Sequence, residues 1–397
     1  MPVENIRLTS KSSTSEPKVD DVIPFTTYIW KIASRCNLNC SYCYVYNSAD
    51  STWRKQPFFM SEKVCHQAAL RIREHCMKHD TRKFAIIFHG GEPLLGGIEH
   101  LDMLTSKIDE VFSGTNIEPV LVVQSNGLLF TPDIGDLMLK RKVSMGISLD
   151  GPPKINDIFR VDHRGRPVSA QLEECLKLLI SPAYKKIFNG FLTVINISSD
   201  PLEVVKYLLS YDPPMVDFLL PHNNYDRPPL GKERDLESTP YGDWLIKVFD
   251  YWFTHKNNTD IRFFTSIMRI LFGVSSSVEG FGLSPVSIIV IETNGDIEAL
   301  DALKSTYDGS TRLGYNVFEN DFDTVARNPA IRSRQGGIKD LCEKCKECPV
   351  VEVCGGGYLP HRYSSERGYN NPSVYSADLE KVIRHISDAV YSEMNTL

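Results

Sequence analysis

The chain carries three closely spaced cysteines in the stretch Arg35-Cys36-Asn37-Leu38-Asn39-Cys40-Ser41-Tyr42-Cys43-Tyr44-Val45-Tyr46. Their spacing is C-x3-C-x2-C, and an aromatic residue stands directly before the third cysteine. Three thiolates can bind three irons of a [4Fe–4S] cube, which leaves the fourth iron free to bind another ligand. A structural zinc site instead needs four ligands, and no fourth ligand is evident nearby. The stretch therefore predicts an iron–sulfur cluster with one open iron.

The composition of the 397 residues limits the class of protein. The apolar fraction is 42% and the charged fraction 24%, which is typical of a globular protein. The net charge of −6 argues against nucleic-acid binding, because phosphate contacts need a basic face. No apolar run approaches the ~18 residues of a membrane span, and the N-terminus lacks the features of a signal peptide. We therefore expect a cytoplasmic protein without nucleic-acid or membrane partners.

Strand and helix patterns alternate along the first half of the chain. Apolar segments predict strands at 25–33, 83–89, 119–124, 143–149, 190–197 and 215–220, and helical spacing predicts helices at 61–78, 98–112, 131–141, 169–180 and 201–210 between them. This alternation is typical of stacked βαβ units with a parallel sheet, here a partial (β/α)6 barrel of the α/β class. Polar and glycine-rich clusters follow the strands, and those loops line the rim of a barrel on which active sites lie.

The rest of the chain divides into further predicted regions around this barrel, which we place at residues 25–221. Residues 1–24 lack hydrophobic periodicity and predict a flexible N-terminal tail. Residues 222–286 break the alternation and predict a linker with bridging helices. Residues 287–397 predict a second, auxiliary-cluster domain that begins with a hairpin, since Asn294-Gly295 favours a tight turn between two apolar segments.

Four more cysteines lie close together near the C-terminus, in the spacing C-x2-C-x2-C-x5-C. They are Cys342, Cys345, Cys348 and Cys354. Four thiolates can enclose a complete [4Fe–4S] cube, although this spacing taken alone suits a zinc knuckle equally well. Because the first cysteine group already indicates iron, we interpret the second group as the ligands of one auxiliary [4Fe–4S] cluster that relays electrons.

The first cysteine stretch resembles the signature of the radical S-adenosylmethionine (radical SAM) superfamily, in which SAM binds the open iron. The turn Gly90-Gly91-Glu92-Pro93 resembles the motif with which these proteins hold the methionine amino group. The resemblance also implies that Arg160 pairs with the SAM carboxylate and that Tyr42 packs near the adenine. It implies cofactor contacts from a set of residues at the predicted strand ends, namely Tyr42, Gly90, Gly91, Glu92, Ser125, Ser148, Arg160 and Asn196.

The C-terminal cysteines and the glycines that follow resemble the SPASM extension of peptide-modifying radical SAM enzymes. A full SPASM extension holds two auxiliary clusters, but Ala299–Asp301 contains no cysteine, and Tyr358 stands where another cysteine is expected. We therefore expect a reduced, SPASM-like extension with a single auxiliary cluster. The family usually has a cysteine after its Pro-Ser-Val-Tyr segment, where this chain has Ser376. Either Cys342 completes the cluster, or the cluster is labile or altered.

The run from Cys348 to Tyr363, followed by Asn371–Tyr375, resembles the enzymes that form three-residue cyclophanes in ribosomally made peptides. The resemblance implies that a 5′-deoxyadenosyl radical removes a hydrogen from the β-carbon of a peptide residue. That carbon then bonds to an aromatic ring two positions earlier, and an electron and a proton leave. The implied partners are a precursor peptide with leader and core, and an external one-electron reductant such as flavodoxin or ferredoxin. Position alone makes Asp301, His222 and Asp217 candidate catalytic bases.

Two other functions are compatible with these motifs. Other radical SAM peptide modifications form a cysteine thioether crosslink or oxidise Ser or Cys to formylglycine. A non-catalytic alternative is a zinc-binding scaffold that partners a peptide, which the Gly-Gly-Glu-Pro turn after the second predicted strand disfavours.

Overall fold

The structure is a computed structural model that describes residues 22–255, 258–276 and 278–395. The flexible tail predicted for residues 1–24 lies, up to residue 21, outside the described residues. The described chain is built on one mixed sheet with helices packed against it. Within the described residues, no helix is long and apolar enough to cross a lipid bilayer.

The sheet has ten strands, which are β1 (Thr27–Ala33), β2 (Lys83–Gly90), β3 (Glu118–Ser125), β4 (Val143–Ser148), β5 (Phe188–Val194), β6 (Met215–Leu219), β7 (Asp260–Ile261), β8 (Ile288–Ile291), β9 (Asp296–Glu298) and β10 (Arg312–Asn316). The α-helices are α1 (Glu62–Lys78), α2 (Gly97–Phe112), α3 (Pro132–Lys140), α4 (Pro153–Phe159), α5 (Ser169–Leu179), α6 (Pro201–Leu209), α7 (Pro240–Thr254), α8 (Arg262–Leu271), α9 (Phe322–Ala326), α10 (Pro329–Arg332), α11 (Glu343–Lys346), α12 (Val351–Cys354) and α13 (Ser376–Met394). Short 3-10 helices lie at Thr52–Lys55, Pro93–Gly96, Lys185–Ile187, Asp301–Ser305, Gly337–Asp340 and Leu359–Arg362.

The first six strands run parallel in the order of the chain, and the sheet does not close on itself. The complete strand order is β10-β9-β8-β1-β2-β3-β4-β5-β6-β7. This confirms the predicted partial (β/α)6 barrel, because each crossover from one parallel strand to the next carries at least one helix. The predicted strands and helices agree with the observed ones within a few residues. The sequence reasoning missed α4, which begins directly after Pro152 in a segment that was interpreted as a turn.

Helix starts are set by local side-chain chemistry. The hydroxyl groups of Ser61 and Thr131 accept hydrogen bonds from backbone N–H groups three residues later, at Val64 and Ile134. The Asp200 carboxylate accepts a hydrogen bond from the backbone N–H of Leu202, two residues later. Proline occupies the first turn of the helices that Thr131 and Asp200 cap. These caps satisfy N–H groups that have no partner inside the helix, so each helix begins immediately after the loop that follows a strand.

The two faces of the sheet have different environments. On β2, Phe84 and Phe88 are buried, and Phe84 packs against Phe112 of α2 with ring centroids 5.1 Å apart. Ile87 and His89 alternate with them and are only partly buried, so they lie on the inner face of the barrel. Lys31 pairs with His89 across β1 and β2 and lies on this same face. The inner face of the barrel is therefore partly polar and partly accessible.

The C-terminal region continues the sheet of the barrel. Strand β8 pairs in parallel with β1, from Thr27 opposite Ile288 to Trp30 opposite Ile291. The predicted hairpin is present, since β8 and β9 run antiparallel around a glycine at position 295 with a positive φ of 89°. The predicted division at residues 286 and 287 therefore falls between two elements of one hydrogen-bonded sheet.

Candidate active site

The loop with the first three cysteines follows β1 directly and is held by the segment after α4. The backbone N–H groups of Asn39 and Ser41 donate to the carbonyls of Val161 and Phe159 at 2.8 and 3.1 Å. On the other side, the Asn126 side chain donates to Asn37 at 2.7 Å. The loop is thus fixed by elements that lie more than eighty residues away in the chain.

The thiols of this loop lie further apart than the sulfurs around a single zinc ion. A tetrahedral zinc ion with Zn–S bonds of about 2.3 Å would hold its sulfurs about 3.8 Å apart. Among the described residues, no three cysteine sulfurs lie within 4.8 Å of one another. Burial raises the pKa of Cys36 to about 12, so this thiol needs a cationic partner to ionise. The Leu38 N–H points at the Cys36 sulfur at 3.4 Å and would stabilise the thiolate.

The glycines of the Gly-Gly-Glu-Pro turn bring β2 against the cysteine loop. A Cβ atom on Gly90, which has a φ of +142°, would lie 2.0 Å from the Ala33 carbonyl oxygen. A Cβ atom on Gly91 would lie 2.3 Å from the carbonyl oxygen of Arg35 and 2.0 Å from the Tyr46 hydroxyl. Only glycine fits at either position. Their direct role in this structure is close packing against the cysteine loop.

Glu92 joins the ends of two strands beneath this turn. Its carboxylate is fully buried and accepts three hydrogen bonds, from the Leu94 N–H at 2.9 Å, the Ser125 hydroxyl at 2.8 Å and the Asn126 N–H at 2.8 Å. Burial raises the pKa of Glu92, although these donors oppose that effect. The structure therefore places Glu92 and Ser125 together, as expected for neighbouring strand ends of a parallel sheet.

Tyr42 and Arg160 are also in contact. The Arg160 guanidinium donates to the Tyr42 hydroxyl at 2.8 Å, and this hydroxyl donates to the Asp150 carboxylate at 2.5 Å. Arg160 is 7% exposed, so the three groups form one buried chain from α4 to the cysteine loop. The Asp150 carboxylate also accepts from the Val194 N–H at 3.0 Å, which fixes it to the end of β5.

Two other predicted cofactor contacts lie at neighbouring strand ends with partners of their own. The Ser148 hydroxyl, at the end of β4, accepts from Gln124 at 3.0 Å and is partly exposed on the inner face. Asn196 follows β5, and its side-chain oxygen accepts from the Ser198 N–H at 3.0 Å within a turn. Ser148 is available to a ligand in the barrel, whereas Asn196 shapes the loop.

Asp301 lies at the centre of a buried ion network. Its carboxylate pairs with Lys31 of β1, accepts from the Tyr44 hydroxyl at 2.7 Å and lies 3.3 Å from Lys304. Burial alone would raise the pKa of Asp301, but the two ammonium groups lower it well below its usual range. Asp301 is therefore charged at neutral pH. Tyr44 immediately follows Cys43, so its hydroxyl group links the Asp301 carboxylate to the cysteine loop.

The ion network extends from Lys304 into the C-terminal hairpin. Its ammonium group lies 2.5 Å from Glu292 and 3.1 Å from Glu298, and the side chain is 1% exposed. Burial raises the pKa of Glu298 to about 7. The carboxylate oxygens of Glu292, Glu298 and Asp301 come within 4.8 Å of one another, and Lys304 between them offsets part of their negative charge.

His222 lies in a cluster of rings next to Asp301. Its ring centroid is 4.9 Å from that of Tyr44, 5.7 Å from Tyr358 and 5.9 Å from His361. Burial lowers the pKa of His222 to about 4 and that of His361 well below its usual value, so both rings are neutral. Within the described residues, neither nitrogen of His361, nor Nδ1 of His222, has a hydrogen-bond partner. The structure thus brings His222 and Asp301 together around Tyr44.

Asp217 does not join this group. It lies on β6, and its carboxylate takes two hydrogen bonds from Arg262, one of them at 2.9 Å from Nε. These contacts form an ion pair between β6 and α8, which gives Asp217 a structural role in this conformation.

Sequence reasoning missed Lys31, Tyr44, His89, Lys304 and His361. The available signal was a lysine inside the apolar strand Thr27–Ala33, since a charged residue in a buried strand needs a partner. Its partner Asp301 is 270 residues away, so no local pattern identified the pair.

The second cysteine group surrounds the glycine turn after α12. Arg362 donates to the carbonyl oxygens of Gly355, Gly356 and Gly357 at 2.8, 3.0 and 2.6 Å, and all three glycines have positive φ angles. A Cβ atom on Gly355 would lie 1.9 Å from the Gly282 carbonyl oxygen. The turn is therefore tightly packed and holds the neighbouring cysteines in place.

Comparison with known proteins agrees with this geometry. The model of the radical SAM superfamily matches residues 30–206, which begin in β1 and end in α6. Over 353 residues the chain is 27% identical to the cysteine-type anaerobic sulfatase-maturating enzyme of Clostridium perfringens (strain 13 / Type A), which covers 86% of this chain and 91% of the relative. It is 22% identical over 359 residues to the serine-type anaerobic sulfatase-maturating enzyme of Bacteroides thetaiotaomicron, with 86% and 84% covered.

Solved structures share the fold. Native anSMEcpe with bound AdoMet superposes with a TM-score of 0.79 at 23% identity, over 94% of this chain and 100% of that chain. Streptococcus suis SuiB bound to precursor peptide SuiA gives a TM-score of 0.58 at 16% identity, over 88% and 75%. The cysteine loop, the glycine turn on β2 and the open parallel sheet agree with these matches. Residues 30–206 therefore match the radical SAM superfamily, and SAM and [4Fe–4S] clusters are the cofactors that these matches support.

Proposed function

We propose that this enzyme installs a carbon–carbon crosslink in a ribosomally synthesised precursor peptide. The bond joins an aromatic ring carbon to the β-carbon of a residue two positions later, which gives a cyclophane. The observation that carries the proposal is the position of Asp301, a buried charged carboxylate next to Tyr44 and the cysteine loop. The sulfatase-maturating relatives and the peptide-bound neighbours support a peptide as the substrate class.

Cys36, Cys40 and Cys43 would hold the cluster, and with SAM bound it would supply the 5′-deoxyadenosyl radical that removes a hydrogen atom. The reaction as a whole takes two hydrogens from the peptide. One leaves as that hydrogen atom and ends in 5′-deoxyadenosine, and the other leaves the aromatic ring as a proton together with one electron. The chain must therefore provide a proton acceptor near the ring and a route for the electron.

Asp301 is the candidate proton acceptor. Lys31 and Lys304 keep it ionised before the reaction but also weaken it as a base, so its role as acceptor relies on the strong acidity of the proton on the oxidised ring. Glu298, whose pKa burial raises to about 7, lies within reach of the same network and can take up the proton afterwards. Four cysteines of the C-terminal region would hold or flank the auxiliary cluster that accepts the electron.

The ring cluster of His222, Tyr44, Tyr358 and His361 would form the wall against which the peptide lies. Its rings are neutral and largely buried, so they exclude water from a radical centre without adding charge. The free nitrogens of His361 offer hydrogen bonds to a peptide group that enters this space. Holding the two reacting side chains in contact supplies much of the rate of such a reaction.

The second candidate reaction is the oxidation of a Ser or Cys side chain to formylglycine. The observation that favours it is the 27% identity to a sulfatase-maturating enzyme over most of both chains. Two departures favour the crosslink. Tyr358 stands where a full SPASM extension has a cysteine, and the hairpin near Ala299–Asp301 carries an ion network in place of cysteine ligands.

Co-expression with a candidate precursor peptide that contains an aromatic residue in its core, followed by tandem mass spectrometry, tests the proposal. A cyclophane loses two hydrogens, needs no cysteine and suppresses fragmentation between the joined residues. Formylglycine from serine loses the same mass but reacts with hydroxylamine, whereas formylglycine from cysteine exchanges sulfur for oxygen. A thioether consumes a cysteine thiol. An aldehyde or a thioether would refute the crosslink, and a chain that binds zinc without cleaving SAM would refute the enzyme. The variant Cys36→Ala is the control without the radical.

The partners follow from the same proposal. The precursor would contribute a leader for recognition and a core for modification, and the sheet ends in edge strand β10, to which an extended leader can add. An external one-electron reductant such as flavodoxin or ferredoxin would start each turnover.

A further inference from the structure

A cavity next to the first turn of α13 brings together part of the second cysteine group. Its volume is about 500 Å³, which lies in the range of about 300–1,000 Å³ that is typical of ligand sites. Cys345, Cys348, Cys354 and Ser376 line it. Cys342 is not among the lining residues, although it belongs to the described part of the chain.

Cys342 lies instead in a small apolar cluster. It is 8% exposed and packs with Leu341 and Cys345, with Leu283 and Val351 around them. Cys342 also precedes α11, and its carbonyl oxygen accepts from the Cys345 N–H at 3.0 Å. Its backbone therefore closes the first turn of that helix, and its thiol contacts Cys345 without lining the cavity itself.

The backbone around Ser376 is held on both sides. Val374 and Tyr375 are fully buried, and the Tyr375 hydroxyl donates to the Pro221 carbonyl at 2.9 Å. Two residues further, Asp378 forms a buried ion pair with Lys232 at 2.5 Å. The Ser376 N–H donates to Ser373 at 2.9 Å. The residue at position 376 is thus held at the wall of the cavity that the three cysteines also line.

We infer that the auxiliary cluster of this chain has only three thiolate ligands, from Cys345, Cys348 and Cys354, and that the Ser376 hydroxyl faces its fourth iron. The inference concerns the cluster alone and does not depend on which peptide reaction the enzyme performs. A hydroxyl is a harder and weaker ligand for iron than a thiolate. The fourth iron is therefore the easiest to lose, and Cys342 is a structural cysteine.

The test uses the full chain with Cys36, Cys40 and Cys43 changed to alanine, so that only the auxiliary cluster is reconstituted. Iron, sulfide and zinc are measured per chain, and electron paramagnetic resonance (EPR) spectra are recorded before and after oxidation with ferricyanide. We expect about four irons after reconstitution and about three after oxidation, with the signal of a [3Fe–4S] cluster. Ser376→Cys should keep about four irons through the oxidation, because it completes the set of thiolates.

Two further variants separate the possible fourth ligands. Cys342→Ala should retain the iron content and the EPR spectrum of the parent, and Cys342→Ser checks that any loss is not a folding defect. Ser376→Ala should alter the EPR spectrum of the reduced cluster. Loss of the cluster in both Cys342 variants would overturn the inference, as would a Ser376→Ala spectrum identical to that of the parent, or zinc in place of iron. No peptide is present, so a failure of the proposed reaction cannot produce these results.

Discussion

Replacing Lys304 with methionine tests whether the ion network around Asp301 supports the fold. The lysine side chain is 1% exposed and faces three carboxylates, at 2.5 Å from Glu292, 3.1 Å from Glu298 and 3.3 Å from Asp301. Methionine keeps most of the volume but removes the charge. Removing one partner from a buried ion pair costs about 3–5 kcal/mol, because the remaining charge is left uncompensated. We expect a loss of this size at pH 7.

A matched control is available on the surface. Lys344 pairs with Glu237 at a comparable distance of 3.0 Å, but the two side chains are 68% and 69% exposed. An exposed pair contributes about 0–1 kcal/mol, so Lys344→Met should be nearly neutral. The double variant Glu292→Gln, Lys304→Met removes one of the unpaired negative charges and should recover part of the loss.

Chemical denaturation of the reconstituted protein under anaerobic conditions measures the effect. Trp30 is fully buried on β1, next to Lys31, and its fluorescence reports unfolding at the centre of the sheet. The destabilisation should be greater at pH 8 than at pH 6. Burial raises the pKa of Glu298 to about 7, so without the ammonium group the protein is more stable when Glu298 is protonated, and this advantage is lost as the pH rises through that pKa. Equal midpoints for Lys304→Met and Lys344→Met would refute this account of the network.

Three other substitutions separate the roles of the site residues. Asp301→Asn should lower the yield of modified peptide about 10²–10⁴-fold while 5′-deoxyadenosine is still formed, since it removes the proton acceptor as well as the buried partner of Lys31. Equal losses of both products would contradict the role as acceptor. Gly91→Ala should reduce the iron bound by the first cysteine group, because its methyl group would lie 2.3 Å from the Arg35 carbonyl oxygen. As a control, the methyl group of Gly280→Ala meets no atom within 4 Å, so this variant should bind as much iron as the parent. Tyr42→Phe should weaken SAM binding, measured by calorimetry, about 2–10-fold, because the loss of one hydrogen bond costs about 0.5–1.5 kcal/mol. An unchanged affinity would show that Tyr42 only supports Asp150.

The fold was predictable because its signals are local. Each strand is an apolar run that ends in polar or glycine residues, and each helix has a periodic apolar face and a cap such as Ser61 or Thr131. The resemblance of the cysteine stretch predicts the cofactor at the rim where these strand ends meet. Helix α4 was not predicted because its start, Pro152-Pro153, also favours a turn.

The interior of the candidate site was less accessible to sequence reasoning, because its contacts join distant parts of the chain. Lys31 and Asp301 belong to the first and the ninth strand regions, and His222 meets His361 across 139 residues. Asp301 and His222 were selected from their position, and the structure places both next to Tyr44. Asp217 was selected in the same way and lies in an ion pair with Arg262 instead, since a position after or within a strand does not determine what packs against it.

The pairing of β8 with β1 has a consequence for synthesis of the chain. Strand β1 is complete at Ala33, but the strand that covers its outer edge begins at Ile288. Because translation proceeds at about 5–20 residues per second, that edge stays unpaired for tens of seconds during synthesis. An uncovered strand edge is a template for pairing with other chains. Truncation before Ile288 would make this exposure permanent, so the barrel is not expected to be soluble as an isolated fragment, and slower elongation should increase aggregation of the nascent protein.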